Sequence, residues 1–346
     1  MVYPIINGRW WSLYFDPGIK RRREDLFDRE GELLRLNEAV RRGERIVLVT
    51  GLRRIGKSSI VSVFLAEWGG RGIMLDLKGL YFEYGSVPKR LFVAELLRAM
   101  GEELRNADLL EVLRMLNSGG ERAVLALDEA QYLRFSGGFR FDGVLAWAYD
   151  NLDNLTIVLT GSEIGMLEDF LRFEDPAAPL YGRTPYELSV GPFDRAMALR
   201  FLKEGFAQEG MEVPEGELEE VVDALGGIPG WLTIYGHMRA RRGLDHRSAI
   251  ASVYEEGSRV VMGELERAIQ PARRRYLAIL RAISLGLGSW SKIKAYAVAL
   301  TGPITDARFT GLLRRLEKLG FVAKQDDQYV IPDPVIRKAV EILDRA

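Results

Sequence analysis

The sequence predicts an α/β protein: a parallel-sheet core, then a helical lid, then a C-terminal module of three helices and a β-hairpin. Three observations carry this. Between residues 45 and 190, short β-rich apolar runs alternate with helical patterns. After Pro192-Phe193 the strand-like runs stop and helical periodicity takes over. From Pro271, three helical patterns lead into two short β-rich runs joined through Asp326-Asp327.

The core comes first in the chain. Its expected strands are 45–50, 73–77, 123–127, 156–160 and 187–190, nearly continuous in Val, Ile and Leu. Such runs suit a parallel sheet covered on both faces. Expected helices at 58–68, 88–104, 108–116, 141–151 and 163–173 fall between them. Strand and helix in alternation mean right-handed crossovers in one sheet. Beyond the core, Asp194 reads as the N-cap of a helix running to about 208. Helical patterns follow at 215–225, 229–242 and 245–269, broken at Gly226-Gly227-Ile228-Pro229-Gly230. The last module has helices at 273–285, 291–300 and 305–319, the third closed by Gly320, then strands at 321–324 and 328–331. That order is a winged helix-turn-helix. The expected domains are therefore a core at 1–193 (with an N-terminal extension, 1–25), a lid at 194–270 and the winged helix at 271–346. Trp10 and Trp11 in the extension read as packing residues.

At 346 residues, 47% hydrophobic and 28% charged, the chain has an ordinary soluble composition. Its net charge of -1 hides an asymmetry. From Pro271 onward there are fourteen Lys/Arg against seven Asp/Glu, +7, which leaves -8 on the rest. A basic terminal module suggests a nucleic-acid contact, or docking on an acidic surface. The absence of cysteine excludes disulfides and thiolate zinc, and fits a reducing interior. His237 and His246 are too few for a His-rich metal site. Without a signal-peptide pattern or a long apolar run, the expected location is the cytoplasm, with no membrane partner.

The chemistry sits at Gly51-Leu52-Arg53-Arg54-Ile55-Gly56-Lys57-Ser58, which matches the phosphate-loop pattern at every required position. It follows an apolar strand and opens a helix, the context that supports it. Glycines let backbone N–H groups wrap an anion, and the helix dipole attracts it. Candidate nucleotide-binding positions are Gly51, Arg54, Ile55, Gly56, Lys57, Ser58 and Ser59. Lys57 would reach the β- and γ-phosphates and the Ser58 hydroxyl would ligate Mg2+.

A second strand runs into Asp128-Glu129. Asp128 is the second candidate metal residue, and Glu129 the candidate general base for the attacking water. Thr160-Gly161-Ser162 closes the next strand. There Ser162 either senses the γ-phosphate or caps the following helix. An Asn-Lys-x-Asp guanine set is absent, so ATP and ADP are the expected nucleotides.

Together these residues resemble the archaeal ATPase family, in the signal-transduction (STAND), AAA+-like class of P-loop NTPases. The likeness spans nearly the whole chain. It includes Leu26-Phe27-Asp28-Arg29-Glu30, the Arg53-Arg54 pair and Leu127-Asp128-Glu129-Ala130-Gln131. It continues through Leu159-Thr160-Gly161-Ser162, Pro179-Leu180-Tyr181-Gly182-Arg183 and Gly226-Gly227-Ile228-Pro229-Gly230. The resemblance implies that the segment around Arg29 lies along the adenine or the sheet edge. It implies that Pro229 brings the lid toward the nucleotide. Arg183 becomes a candidate γ-phosphate sensor, from its own or a neighbouring chain, or else a surface ion pair. Arg54 touches phosphate or tunes the potential beside it.

Two functions from different classes follow. One is a slow regulatory ATPase switch in which the nucleotide clamps core, lid and winged helix. The other is a duplex-DNA-binding module with secondary ATPase activity, contacting DNA through Arg308, Arg314, Arg315 and Lys318. Winged helices also dock proteins, and Glu317, Asp326 and Asp327 count against tight phosphate binding. The oligomeric state is open.

Overall fold

The computed structural model describes residues 14–103, 107–269 and 272–343. They form two compact units, one spanning Ile19–Gly191 and the other joining the segment up to Gly18 with the chain from Pro192 onward. Trp10 and Trp11 lie outside the described residues.

The first unit is built on five strands: β1 (Ile46–Thr50), β2 (Gly72–Asp76), β3 (Ala123–Asp128), β4 (Leu155–Gly161) and β5 (Tyr186–Ser189). All pair in parallel, in the order β2-β3-β4-β1-β5. Every residue of β3 and β4 is buried, the outcome expected of apolar runs covered on both faces. The helices are α1 (Glu30–Arg41), α2 (Lys57–Glu67), α3 (Leu77–Tyr84), α4 (Lys89–Met100), α5 (Leu109–Asn117), α6 (Phe141–Asn151) and α7 (Ile164–Leu171). From β1 the chain crosses to the far edge at β2 and returns through β3, so β4 settles between β3 and β1. The register aligns Thr50 with Gly161 and with Ser189, and Asp76 with Asp128. The carboxyl ends of all five strands therefore share one edge, where α/β sheets bind ligands.

Several boundaries shift by one or more residues from the sequence expectation, and two of the shifts have a visible cause. The second strand stops at Asp76, not at 77, because the Asp76 carboxylate accepts the Gly79 N–H at 2.8 Å and caps α3. The helix expected over 88–104 ends at Met100, where Gly101 turns left-handed at φ 73°. Helices α1 and α3 have no counterpart among the expected elements.

The second unit is helical apart from one hairpin. It contains α8 (Arg195–Gln208), α9 (Glu215–Leu225), α10 (Pro229–Ala240), α11 (His246–Ile269), α12 (Arg273–Ser284), α13 (Trp290–Thr301), α14 (Asp306–Lys318) and α15 (Pro334–Leu343). Asp194 caps α8, accepting from Met197 N at 2.8 Å. Residues 14–18, expected ahead of the sheet, belong here because Phe15 is fully buried against α8 and α10. A Cβ at Gly236 would lie 2.3 Å from the Phe15 ring and one at Gly205 2.4 Å, so both glycines are required for space. Phe201 and Phe206 close the ring's pocket at centroid distances of 5.8 and 4.8 Å.

The lid and winged-helix regions are packed as one body in this unit. The buried Asp333 carboxylate accepts Trp231 Nε1 at 2.9 Å, Val335 N at 2.9 Å and Ile336 N at 3.2 Å. One side chain thus caps α15 and ties it to α10. In the winged helix, Thr305 caps α14, and β6 (Ala323–Gln325) pairs antiparallel with β7 (Gln328–Val330). Asp326 and Asp327 both adopt positive φ, 45° and 62°, as a two-residue hairpin turn requires. Arg308 and Arg314 are exposed on α14, while Arg315 and Lys318 are half-buried. No helix among the described residues is long and apolar enough to cross a membrane.

Candidate functional site

The P-loop is shaped by backbone conformations that glycine makes possible. Gly51 sits at φ 147°, and a Cβ there would lie 2.4 Å from the Val190 carbonyl oxygen of the adjacent strand end. Arg54 and Gly56 also take positive φ, 61° and 102°. Ile55, fully buried, pins the loop to the core. Helix α2 starts at Lys57 without a side-chain cap, so its first N–H groups remain available to an anion. Lys57 is nearly buried, and Nζ donates to the Gly51 and Leu52 carbonyls at 3.0 and 2.9 Å. Burial pulls its ammonium down to about 8, Arg53 and Lys78 adding to the effect while Glu129 and Asp128 oppose it.

Beside it stand the two carboxylates. Ser58 Oγ donates within 2.9 Å of both Asp128 oxygens. Thr160 Oγ1 also donates to Asp128 and accepts the Glu129 N–H at 3.0 Å. Burial raises the Asp128 pKa, with Glu129 adding to the shift and the two hydroxyls opposing it. Glu129 has a left-handed backbone, φ 55° and ψ 53°. Its Oε2 accepts Gln131 Nε2 at 2.6 Å, Ser162 Oγ at 2.9 Å and Ser162 N at 3.2 Å. Burial alone would raise the Glu129 pKa, but Lys57, Gln131, Lys78 and the Ser162 amide together hold it low.

The insertion of β4 between β1 and β3 brings these groups together. It delivers Thr160 and Ser162 to the gap between Lys57-Ser58 and Asp128-Glu129. Ser162 does not cap the next helix: α7 has Glu163 at its N-cap, without a side-chain cap bond, and the serine hydroxyl goes to Glu129. Glu163, also buried, pairs with Arg53 of the P-loop at 3.5 Å and with Arg134 at 4.0 Å. Sequence reading missed Thr160 as a link between the two carboxylates, named Gln131 only as part of a family motif, and gave Glu163 no role.

The remaining candidates lie elsewhere. Arg29 is buried at the start of α1, and its guanidinium donates to the Ile55 carbonyl at 3.3 Å, to Gly191 O at 2.9 Å and to Glu32 at 2.9 Å. It staples the P-loop to the end of β5. Ser59 Oγ accepts Lys20 N at 3.1 Å. Pro229 belongs to the other unit, where it opens α10. Arg183 precedes β5, whose Tyr186 pairs with Val47 and whose Ser189 pairs with Thr50. It is therefore at the opposite edge of the sheet, about 10 Å or more from the P-loop edge at ~3.3 Å per strand residue. There it donates to Asp150 (Nε at 3.1 Å) and lies over the Tyr149 ring, out of reach of a phosphate held on its own P-loop.

A family model for an ATPase domain found predominantly in Archaea matches residues 26–234. The chain belongs to this archaeal ATPase family. A second model, the MCM protein C-terminal winged helix-turn-helix domain, matches residues 270–331. Among solved structures, the Walker-type ATPase PABY2304 of Pyrococcus abyssi is 39% identical, over 95% of this chain and 100% of its own, with a TM-score of 0.88. Cdc6p from Pyrobaculum aerophilum is similar in fold alone, with a TM-score of 0.51 at 15% identity over 96% of this chain and 97% of its own. No curated protein matches. The archaeal ATPase is thus a P-loop nucleotide-binding protein with a C-terminal winged helix.

Proposed function

We propose that the chain is a Mg2+-dependent ATP hydrolase of the signal-transduction class that works as a slow regulatory switch. Its nucleotide state is coupled to the arrangement of lid and winged helix. The carrying observation is the approach of Ser58 Oγ to both Asp128 oxygens, with Glu129 beside them. A hydroxyl and a buried carboxylate are the hard oxygen donors that Mg2+ takes, usually alongside phosphate oxygens and waters. Ser58 and Asp128 fit such an ion: their oxygens stand together at the start of α2, and they would hold Mg2+ there. Bound there, Mg2+ would supply positive charge to the phosphate oxygens.

The chain's own residues do the rest. The uncapped α2 N–H groups and Lys57 hold the phosphates; Glu129 takes a proton from the attacking water. Ser162, one bond away, relates the position of Glu129 to the phosphate. Arg183 acts from a neighbouring chain. If so, hydrolysis per chain rises with protein concentration, whereas a rate independent of dilution would remove Arg183 from the reaction.

The first test is steady-state ATP hydrolysis with and without Mg2+. Turnover that is equal in both, or absent at every Mg2+ concentration, would end this reading.

The exposed guanidiniums of Arg308 and Arg314 on α14 favour a second reading, a winged helix that binds duplex DNA. Replacing Arg314 and Arg315 together by alanine then weakens DNA binding and lowers the slope of affinity against salt by roughly one to two. An unchanged slope would point to a protein partner instead.

A further inference from the structure

We propose that Gln131 is a positioning residue for Glu129, holding Oε2 so that Oε1 is the oxygen presented to the attacking water. The proposal rests on the reading of Glu129 as general base. Three donors converge on Oε2: the Gln131 amide at 2.6 Å, the Ser162 hydroxyl at 2.9 Å and the Ser162 N–H at 3.2 Å. A glutamate has three side-chain torsions to fix, and a base is effective only when held at a defined place. Donors on one oxygen set the direction of the other. The amide's orientation follows from its partner: a carboxylate accepts only, so the nitrogen of Gln131 must face it.

The fold accommodates this residue at a cost that packing alone does not explain. Gln131 is 1% exposed, and its Oε1 is a buried acceptor without a donor among the described residues. An apolar side chain of similar volume would fill the site without that penalty. Space for the amide comes from β4: a Cβ at Gly161 would lie 3.2 Å from Gln131 Oε1 and 2.9 Å from Leu167 Cδ2. Gly161 has no positive φ, so its glycine serves room rather than backbone freedom. The sharp turn at Glu129 brings residue 131 back over residue 129, within reach of a side chain two positions away.

The decisive variant is Gln131→Met, similar in volume and unable to donate. We expect kcat to fall at least tenfold, with the Kd for a fluorescent ADP analogue within twofold of wild type and the melting temperature preserved. In a Glu129→Gln background, single-turnover hydrolysis should show no further loss from Gln131→Met, since residues acting as one unit are not additive. Gln131→His, which restores a donor, should recover part of kcat. Unchanged kcat in Gln131→Met would overturn the proposal. So would a parallel loss of Kd and melting temperature, or an equal loss in the Glu129→Gln background, because each marks a packing role. Wild-type turnover by Glu129→Gln alone would instead remove the general base, a failure distinct from that of Gln131.

Discussion

Replacing Lys57 by alanine removes measurable nucleotide binding, with Kd for ATP or ADP raised about a hundredfold or more. The ammonium is buried and its hydrogen bonds end on two loop carbonyls, with no carboxylate within ion-pair distance among the described residues. Burial pulls its pKa down to about 8, so at this position the fold carries a cation that burial disfavours. Charge-assisted bonds to phosphate oxygens are worth ~1.5–3 kcal/mol each, and two of them reach the hundredfold figure. A residue kept for ligand rather than fold should leave stability intact when removed. The melting temperature of the ligand-free variant should therefore match wild type or exceed it. Isothermal titration and a thermal melt on the same samples check both halves. Retained affinity would undo the phosphate-loop assignment, and a large drop in melting temperature would make Lys57 a structural residue.

How far the sequence exposed all this depends on whether a feature is local. Gly51, Gly56, Lys57 and Ser58 were legible because their requirement is a backbone shape and a charge within eight residues. The five strands were legible because full burial on two faces leaves continuous apolar runs. Helix α3 was not: Leu77 extends the apolar run of β2, and only the Asp76 cap moves the boundary. The order of strands is non-local, so the segment 160–162 by itself left two readings of Ser162 open, a place beside the γ-phosphate or a helix cap. In the folded chain the helix cap falls away, because Glu163 takes the N-cap position of α7 and the Ser162 hydroxyl goes to Glu129. Arg183 illustrates the reverse. Its motif was legible, but its distance from the P-loop depends on which way β5 runs. Gln131 left no chemical signal of its own, because a glutamine two residues after an acid is common and its value lies in the turn that folds it back.

The other large effect is expected at Glu129. Changing it to glutamine should leave ATP affinity within a few-fold of wild type and lower kcat by roughly 10²–10⁴, the usual weight of a general base. The amide keeps the shape of the side chain, and its carbonyl oxygen can still accept from Ser162 and Gln131. What it loses is the ability to take a proton. Binding without turnover makes the variant a trap for the ATP-bound form, and that allows the switch to be tested apart from the chemistry. A ligand can shift a conformational equilibrium only by the difference in its affinity for the two states. Small-angle scattering of Glu129→Gln with ATP should therefore differ from that of the same protein with ADP. Identical profiles, with both nucleotides shown to be bound, would leave a hydrolase without a switch. Wild-type turnover in this variant would shift the base to another group on the strand-end edge.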